Sequence, residues 1–391
     1  MQLEDAFATP AFQKFQISIA RGKGSSVWDA EGKEYIDFMT GYGVALVGHC
    51  NDAVVSAVAD QASKLITCHG SFYNEVRGAL LEKLAKVSPT GLTRALLTNS
   101  GTETVEAAIK LARKHTGRRK VVSMKGGFHG KTYGSLSATW SRKYRDPFMP
   151  LLDGFDFAEY GDPASLSSLV GPETAAVIAE PIQGESGIVV PPPDYLRQVR
   201  EVCDKAGALL ILDEIQTGLG RTGKMWASEH WGVVPDVMTV SKGLGGGLPI
   251  GAAMSREDVA KSLKGGEHTS TFAGNPLCCA AALATLNYIE GNRLPERAAR
   301  LGETMAGGLR KVAAAHKLVR EVRGKGLMLA LQTRVDIHSQ LVAAQERGAI
   351  FAYSGRDAFR FLPPLMIEEE KIGKGLEILE GVIGEEEARR L

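Results

Sequence analysis

The chain has 391 residues, enough for two or three domains with a substantial buried core. Its 46 basic and 45 acidic residues leave a net charge of +1, so no excess of positive charge is available for the phosphates of a nucleic acid. The five cysteines show no CxxC spacing and no apolar stretch approaches about 18 residues, so we expect a cytoplasmic protein that neither depends on disulfides nor crosses a membrane.

Short apolar runs alternate with amphipathic helical segments through the middle of the chain. The runs cover residues 95–97, 121–122, 176–178, 209–212 and 237–240. A helix is predicted over 103–115, because apolar residues recur there at i, i+3, i+4 and i+7. This alternation predicts an α/β fold whose sheet is mostly parallel, with helices on its faces.

The pattern changes after residue 275. A long helical stretch rich in Ala and Leu begins at Pro276, and strands are predicted over 319–331 and 359–367, followed by a charged helical tail. We therefore predict a large domain over 51–275 and a smaller α+β domain over 276–391. The N-terminal segment 1–50 is predicted to pack with the smaller domain.

The first candidate site follows the strand at 95–97. In an open parallel sheet, ligands bind beyond the carboxyl ends of the strands. There, Ser100, Gly101 and Thr102 lie between the strand and the next helix, where free N–H groups and two hydroxyls can bind an anion. The same residues, with Glu103, also fit an ordinary helix N-cap.

Two charged residues follow other strands of the predicted sheet. Asp213 comes after four aliphatic residues, and Lys242 follows the strand at 237–240 and precedes a glycine-rich turn. Taken singly, Asp213 also fits a helix cap and Lys242 a surface lysine. Together with a phosphate site, they are the groups that pyridoxal 5′-phosphate (PLP) requires: a lysine for its aldehyde and a carboxylate for its ring nitrogen.

An aromatic residue between glycines completes the predicted cofactor site. Phe128 lies among Gly126, Gly127 and Gly130 and is the candidate to stack on the cofactor ring. The segment 218–223 matches the GxGxxG pattern, but residues 213–217 separate it from its strand and the positions near 243 are glycine where an acid is needed, so we do not expect a dinucleotide site. The histidines lack metal-ligand spacing, so no metal site is predicted.

With these motifs in place, the chain resembles the class III aminotransferases of the fold-type I PLP-dependent transferases, in particular the acetylornithine type and the archaeal and Thermus-type enzymes of lysine and arginine biosynthesis. That fold has a large domain with a mostly parallel seven-stranded sheet and a smaller α+β domain. The matching stretches lie at residues 27–38, 100–103, 128–130, 180–185, 213–218, 241–243, 270–272 and 360–365.

The resemblance implies a role for each cofactor-site residue. Lys242 would bind the cofactor aldehyde as a Schiff base and shuttle the proton, and Asp213 would contact the pyridine nitrogen. Gln216 would lie near the ring hydroxyl, with Ser100, Gly101 and Thr102 on the phosphate and Phe128 on the ring. Thr271 would reach the phosphate of the other subunit, which implies a homodimer.

The resemblance also implies substrate-binding residues. Glu185 and Arg360 would form a switch pair that opens when the Arg360 guanidinium binds the α-carboxylate of glutamate or 2-oxoglutarate. Tyr42 and Ser270 would line the substrate pocket. Lys131 stands where the family usually has a substrate-binding arginine, so the charge is kept and the guanidinium fork is lost. This lysine would bind a carboxylate or point into solvent.

The predicted activity is amino transfer between glutamate, which yields 2-oxoglutarate, and the terminal amine or semialdehyde of an N-blocked ornithine or lysine. The blocking group would be acetyl or a small acidic amino-group carrier protein, for which the basic segment 142–145 is a candidate docking site or simply a solvated turn. The alternatives are a 4-aminobutyrate or free-ornithine transaminase and, on the same fold, an aminomutase, racemase or decarboxylase. A protein that binds without catalysis is a further alternative.

Overall fold

The computed structural model describes residues 1–390. Its helices are α1 Gln2–Phe7, α2 Thr40–Gly43, α3 Asp52–Lys64, α4 Glu75–Val87, α5 Gly101–Thr116, α6 Tyr133–Ala138, α7 Arg142–Arg145, α8 Pro163–Leu169, α9 Tyr195–Ala206, α10 Glu257–Ala260, α11 Pro276–Gly291, α12 Leu294–Ala315, α13 His338–Glu346 and α14 Glu369–Arg390. Short 3-10 turns cover Asp146–Phe148, Ala227–His230 and Lys242–Gly245.

The strands fall into three sheets. In chain order they are β1 Ile19–Lys23, β2 Ser26–Asp29, β3 Glu34–Asp37, β4 Arg94–Thr98, β5 Lys120–Met124, β6 Phe155–Ala158, β7 Thr174–Ala179, β8 Leu209–Asp213, β9 Val237–Val240, β10 Gly251–Ser255, β11 Val319–Lys325, β12 Met328–Thr333, β13 Ala349–Ile350, β14 Ala352–Ser354 and β15 Ala358–Phe361.

The central sheet has seven strands in the order β4-β10-β9-β8-β7-β5-β6. Only β10 runs antiparallel to its neighbours, so the sheet is mostly parallel, as predicted. Every residue of β7, β8 and β9 is buried, because helices cover both faces of the sheet. All five apolar runs identified in the sequence lie in strands of this sheet, which confirms the α/β prediction.

Two four-stranded sheets flank the central one. The N-terminal strands form the sheet β1-β2-β3-β13, in which β3 pairs in parallel with β13 from the C-terminal part of the chain. The other sheet has the order β11-β12-β15-β14 and is antiparallel. The division at residues 50 and 275 stays a prediction.

Two predictions for the C-terminal part were wrong in detail. The strand predicted over 319–331 is a hairpin of β11 and β12, because Gly326 adopts a positive φ and turns the chain. Only 359–361 of the second predicted strand lies in a ladder, as part of β15, since two consecutive prolines follow Leu362 and lack N–H donors. No helix within residues 1–390 is long and apolar enough to cross a membrane.

Candidate active site

Adjacent parallel strands bring the predicted catalytic residues together. Asp213 ends β8 and is aligned with Thr239 of the neighbouring β9, and Lys242 follows that strand by two residues. Glu180 follows β7, on the other side of β8. Because the carboxyl ends of parallel strands share one edge of the sheet, these side chains converge there.

Asp213 is held in a buried hydrogen-bonded network. Its Oδ2 lies 2.7 Å from His129 Nδ1, which must donate because the carboxylate can only accept. Its Oδ1 accepts from the Thr239 hydroxyl and from the Ile215 N–H, both at 3.1 Å. Asp213 is 4% exposed and His129 2%, so the pair presents a fixed negative group at the sheet edge.

Glu180 lies beside this pair. Its two carboxylate oxygens accept from the backbone N–H groups of Phe128, at 3.0 Å, and Gly184, at 2.9 Å. Burial and the nearby Asp213 charge raise the pKa of Glu180 to about 7, although His129 opposes the shift. Glu180 therefore connects the loop that carries Phe128 to the turn that precedes Glu185.

Lys242 has an unusual backbone and a perturbed amine. Its φ is +33°, in the left-handed region that side chains rarely adopt, and such strain is typical of functional positions. Burial and the Arg360 charge lower the pKa of the Lys242 amine, although Glu185 and Asp213 oppose the shift. Its Nζ donates no hydrogen bond within residues 1–390, so the amine is free to react.

The N-terminus of α5 lies at the same edge. The Ser100 hydroxyl accepts from the Glu103 N–H at 3.3 Å, so Ser100 is a helix cap in addition to a candidate anion ligand. The Thr102 hydroxyl lies 2.6 Å from that of Ser135. A Cβ on Gly130, whose φ is +129°, would lie 2.3 Å from Thr102 Oγ1, so a glycine is required for this close approach.

Gln216 has an unsatisfied group. Its Oε1 is buried without a hydrogen-bond donor among the described residues, and its Nε2 makes only a 3.5 Å contact with the Tyr42 carbonyl. A buried amide oxygen without a donor is costly in free energy, so a ligand that donates a hydrogen bond would be favoured here.

Glu185 and Arg360 form an ion pair. Arg360 Nη1 donates to Glu185 Oε1 at 2.9 Å and to the Gly184 carbonyl at 3.0 Å. Burial would raise the pKa of Glu185, but the Arg360 and Lys242 charges outweigh it and hold the pKa below its ordinary value. Arg360 is 0% exposed, and its Nε and Nη2 have no partner within residues 1–390, which leaves two donors for a carboxylate.

Aromatic rings lie beside this ion pair. The Arg360 guanidinium lies 5.2 Å from the ring centroid of Tyr42, and the rings of Tyr42 and Tyr353 meet edge to face at 6.5 Å. Tyr144 is half-buried; burial and then the Glu185 charge raise its pKa. The aromatic walls make the site a pocket around one charged pair.

The remaining predicted residues lie at the edges of the site. Lys131 is exposed, and its ammonium lies 4.6 Å from the ring centroid of Tyr144. The Ser270 hydroxyl accepts from Asn99 Nδ2 at 2.9 Å, which ties its loop to the start of α5. Thr271 is exposed, and its side chain makes no hydrogen bond within residues 1–390.

Sequence reasoning missed four residues of this site. His129 and Glu180 lay inside recognised motifs but had no role; for Glu180, its position directly after β7 was the available signal. Tyr144 and Tyr353 come from separate parts of the chain, so no local pattern indicates that they meet. No group of three or more metal-ligating side chains occurs among residues 1–390.

Comparisons with known proteins agree with this geometry. The family model described as aminotransferase class-III matches residues 7–383. The chain is 44% identical over 378 residues to the acetylornithine aminotransferase of Methanopyrus kandleri, with 96% of each chain covered. It is 42% identical over 368 residues to the LysW-aminoadipate semialdehyde/glutamate semialdehyde transaminase of Sulfolobus acidocaldarius, with 94% of this chain and 95% of that protein covered.

A solved structure gives the same result for the fold. The ornithine aminotransferase of Toxoplasma gondii, described with partial occupancy of PLP at its active site, superposes with a TM-score of 0.95 at 34% identity. The match covers 99% of this chain and 95% of that one.

Proposed function

This chain belongs to the class III aminotransferases and has the fold of the fold-type I PLP-dependent transferases. We therefore propose that it transfers an amino group from glutamate to the terminal semialdehyde of an N-blocked ornithine or lysine precursor, and catalyses the reverse transfer to 2-oxoglutarate. The observation that carries this proposal is the Glu185–Arg360 pair, 2.9 Å apart beside the Lys242 amine. A removable counter-charge on a buried arginine suits an enzyme that must accept two different substrates in one pocket.

PLP is the proposed cofactor, and the residues present fit it. The Lys242 amine would bind its aldehyde, Asp213 would face its ring nitrogen, and the unsatisfied Gln216 Oε1 would accept from its ring hydroxyl. Ser100, Gly101 and Thr102, at the N-terminus of α5, would hold the phosphate, and Phe128 would stack on the ring. When bound, PLP supplies an electron-withdrawing ring that stabilises negative charge at the substrate carbon.

Lys242 would move the proton. Its lowered pKa leaves a larger share of the amine neutral at physiological pH than in an ordinary lysine, so Nζ can accept a proton from the substrate carbon and return one. Asp213, which accepts hydrogen bonds from His129 and Thr239, would stabilise a positive charge on the group that it faces.

Arg360 would select between substrates. For glutamate, its free Nε and Nη2 would bind the α-carboxylate as a fork once Glu185 moves away. For the diamino substrate, the pair would stay closed, so that the pocket meets an uncharged alkyl chain with no buried unpaired charge. Lys131, on the pocket edge, would then bind the carboxylate next to the blocked nitrogen.

A homodimer is the proposed assembly. Arg77 donates from Nε to the Gly274 carbonyl at 2.7 Å and from Nη1 to the Phe72 carbonyl at 3.0 Å, which joins two surface segments. Both segments expose large apolar side chains, with Phe72 70% and Phe272 65% exposed. A paired surface of this kind favours burial against a second copy, where Thr271 would reach the other phosphate site.

A carrier-linked substrate is a further part of the proposal. Among the basic residues of 142–145, Arg142 pairs with Asp146 at 3.2 Å and the Arg145 guanidinium lies 4.7 Å from the Phe157 ring centroid. The Lys143 ammonium lies 5.9 Å from the Tyr144 ring centroid and forms no ion pair within residues 1–390, so Lys143 is the residue of this segment best placed to meet an acidic carrier. Charge reversal at all three basic positions should weaken turnover of a carrier-linked substrate and spare that of an acetylated one, and unchanged turnover on both would rule out docking here.

The test is the absorbance of the purified holoenzyme. We expect L-glutamate and N-acetylornithine, in separate cuvettes, each to convert the aldehyde form of the bound cofactor to its amine form. If only glutamate reacts, carrier-linked lysine or ornithine is the next substrate to try. Reaction with free ornithine or 4-aminobutyrate but not with N-acetylornithine would support the alternative transaminases, and no reaction with glutamate would contradict the proposal.

A further inference from the structure

Lys131 is a cation without an anionic partner. Its side chain forms no salt bridge within residues 1–390, although its charge acts on the half-buried Glu185 of the Glu185–Arg360 pair. Its ammonium lies instead 4.6 Å from the ring centroid of Tyr144. A cation over an aromatic face is attracted by the ring quadrupole, so the ring is the principal contact that the structure gives to this charge.

Tyr144 has a second contact, on the cofactor side. Its ring meets the ring of Phe128 edge to face, with the centroids 5.6 Å apart. Burial, followed by the Glu185 charge, raises the pKa of the Tyr144 hydroxyl, so the ring is neutral at physiological pH. Tyr144 therefore lies between the residue proposed to stack on the cofactor and the residue proposed to bind a substrate carboxylate.

The Tyr144 ring can restrain the flexible Lys131 side chain without neutralising its charge. An ammonium on a flexible four-carbon stem lacks the planar fork by which an arginine fixes a carboxylate. A carboxylate partner would hold Lys131 in place but would neutralise its charge. An aromatic face restrains the ammonium and leaves its charge and N–H donors available, and the Lys131 charge does reach the site, where it helps to lower the pKa of Glu185.

We propose that Tyr144 is a positioning residue for substrate specificity, which holds the Lys131 ammonium where it binds the α-carboxylate of the N-blocked diamino acid. The edge contact with Phe128 sets the distance between that carboxylate and the reacting end of the substrate. Tyr144 acts through Lys131 and does not itself touch the reacting atoms. This inference rests on the proposed function. It adds Tyr144 as the residue that allows a lysine at position 131, in place of an arginine, to bind the substrate carboxylate.

A double-mutant cycle on the holoenzyme tests it. The probe is N-acetyl-L-norvaline, which has the acyl group and the α-carboxylate but no transferable amine, and its Kd is measured by calorimetry. We expect Tyr144→Leu to raise this Kd about two- to fivefold, the range of an exposed cation–π contact. In a Lys131→Met background, the same change should have almost no effect, because the partner is gone. Tyr144→Phe, which keeps the ring, should restore the affinity.

The glutamate half-reaction separates this inference from the proposed function. Glutamate reacts through Arg360, so its KM should change far less in Tyr144→Leu than the Kd of the probe. Equal weakening by Tyr144→Leu in both backgrounds, or failure of the wild-type enzyme to bind N-acetyl-L-norvaline, would overturn the role of Tyr144 while leaving amino transfer from glutamate intact. Loss of the wild-type reaction with glutamate would instead contradict the proposed function.

Discussion

Replacing Arg360 by glutamine should separate the two halves of the reaction. In the folded protein, Arg360 is fully buried and two of its guanidinium nitrogens have no partner among residues 1–390, so a substrate carboxylate would gain two charge-assisted hydrogen bonds there. Such bonds contribute about 1.5 to 3 kcal/mol each. Their joint loss, about 3 to 6 kcal/mol, predicts a fall of about 10²- to 10⁴-fold in kcat/KM for glutamate.

The other substrate should be largely spared. The diamino substrate does not use the Arg360 fork in this account, so its kcat/KM should change by less than about tenfold, even though Glu185 loses its partner. Single-turnover absorbance of the bound cofactor measures both half-reactions separately. Arg356→Gln is the matched control, because this arginine lies on the turn before β15 with its side chain 87% exposed. Equal losses on glutamate and on the diamino substrate would refute selective recognition by Arg360.

Three further perturbations test other parts of the structure. Burial raises the pKa of Glu180 from the ordinary 4.5 to about 7 in the folded state, so proton binding by Glu180 stabilises the fold at low pH. In urea titrations, the free energy of unfolding relative to Glu180→Gln should therefore fall by about 2 to 3 kcal/mol from pH 5 to pH 8. A difference that does not change with pH would contradict this. Thr271→Ala should lose PLP on dilution, and mixing it with inactive Lys242→Ala should restore activity in hybrid dimers, whereas no recovery would argue against sites shared between subunits. Gly302→Ala should lower the thermal midpoint, because its Cβ would lie 2.3 Å from the Gly326 carbonyl oxygen, and Gly307→Ala, in the same helix with nothing within 4 Å, should not.

The sequence was sufficient for the central sheet and for the class of site. Buried parallel strands are nearly continuous apolar runs, so residues 209–212 and 237–240 were recognisable, and the charged residues that follow them lie at the carboxyl edge as predicted. Helix α5 covers the predicted 103–115 and begins two residues earlier, since Ser100 caps it.

Long-range contacts were not predictable from local patterns. Asp213 was predicted as a helix cap or a cofactor ligand, and no local pattern indicated its hydrogen bond with His129, which joins residues 84 positions apart in the chain. The pairing of β3 with β13, and the meeting of Tyr42 with Tyr353, likewise depend on tertiary packing. The strand predicted through Pro363 and Pro364 was an error of a different kind, because the two prolines, which lack N–H donors and end the ladder, are visible in the sequence.

Transfer of an isotopic label tests the central claim most directly. N-acetylornithine carrying ¹⁵N at its terminal amine is incubated with the holoenzyme and unlabelled 2-oxoglutarate, and the products are analysed by mass spectrometry. The account predicts that the label appears in glutamate with the wild-type enzyme and that multiple turnovers are lost in Lys242→Ala. Label retained in an isomer of the substrate or released as ammonia, or sustained turnover by Lys242→Ala, would contradict it.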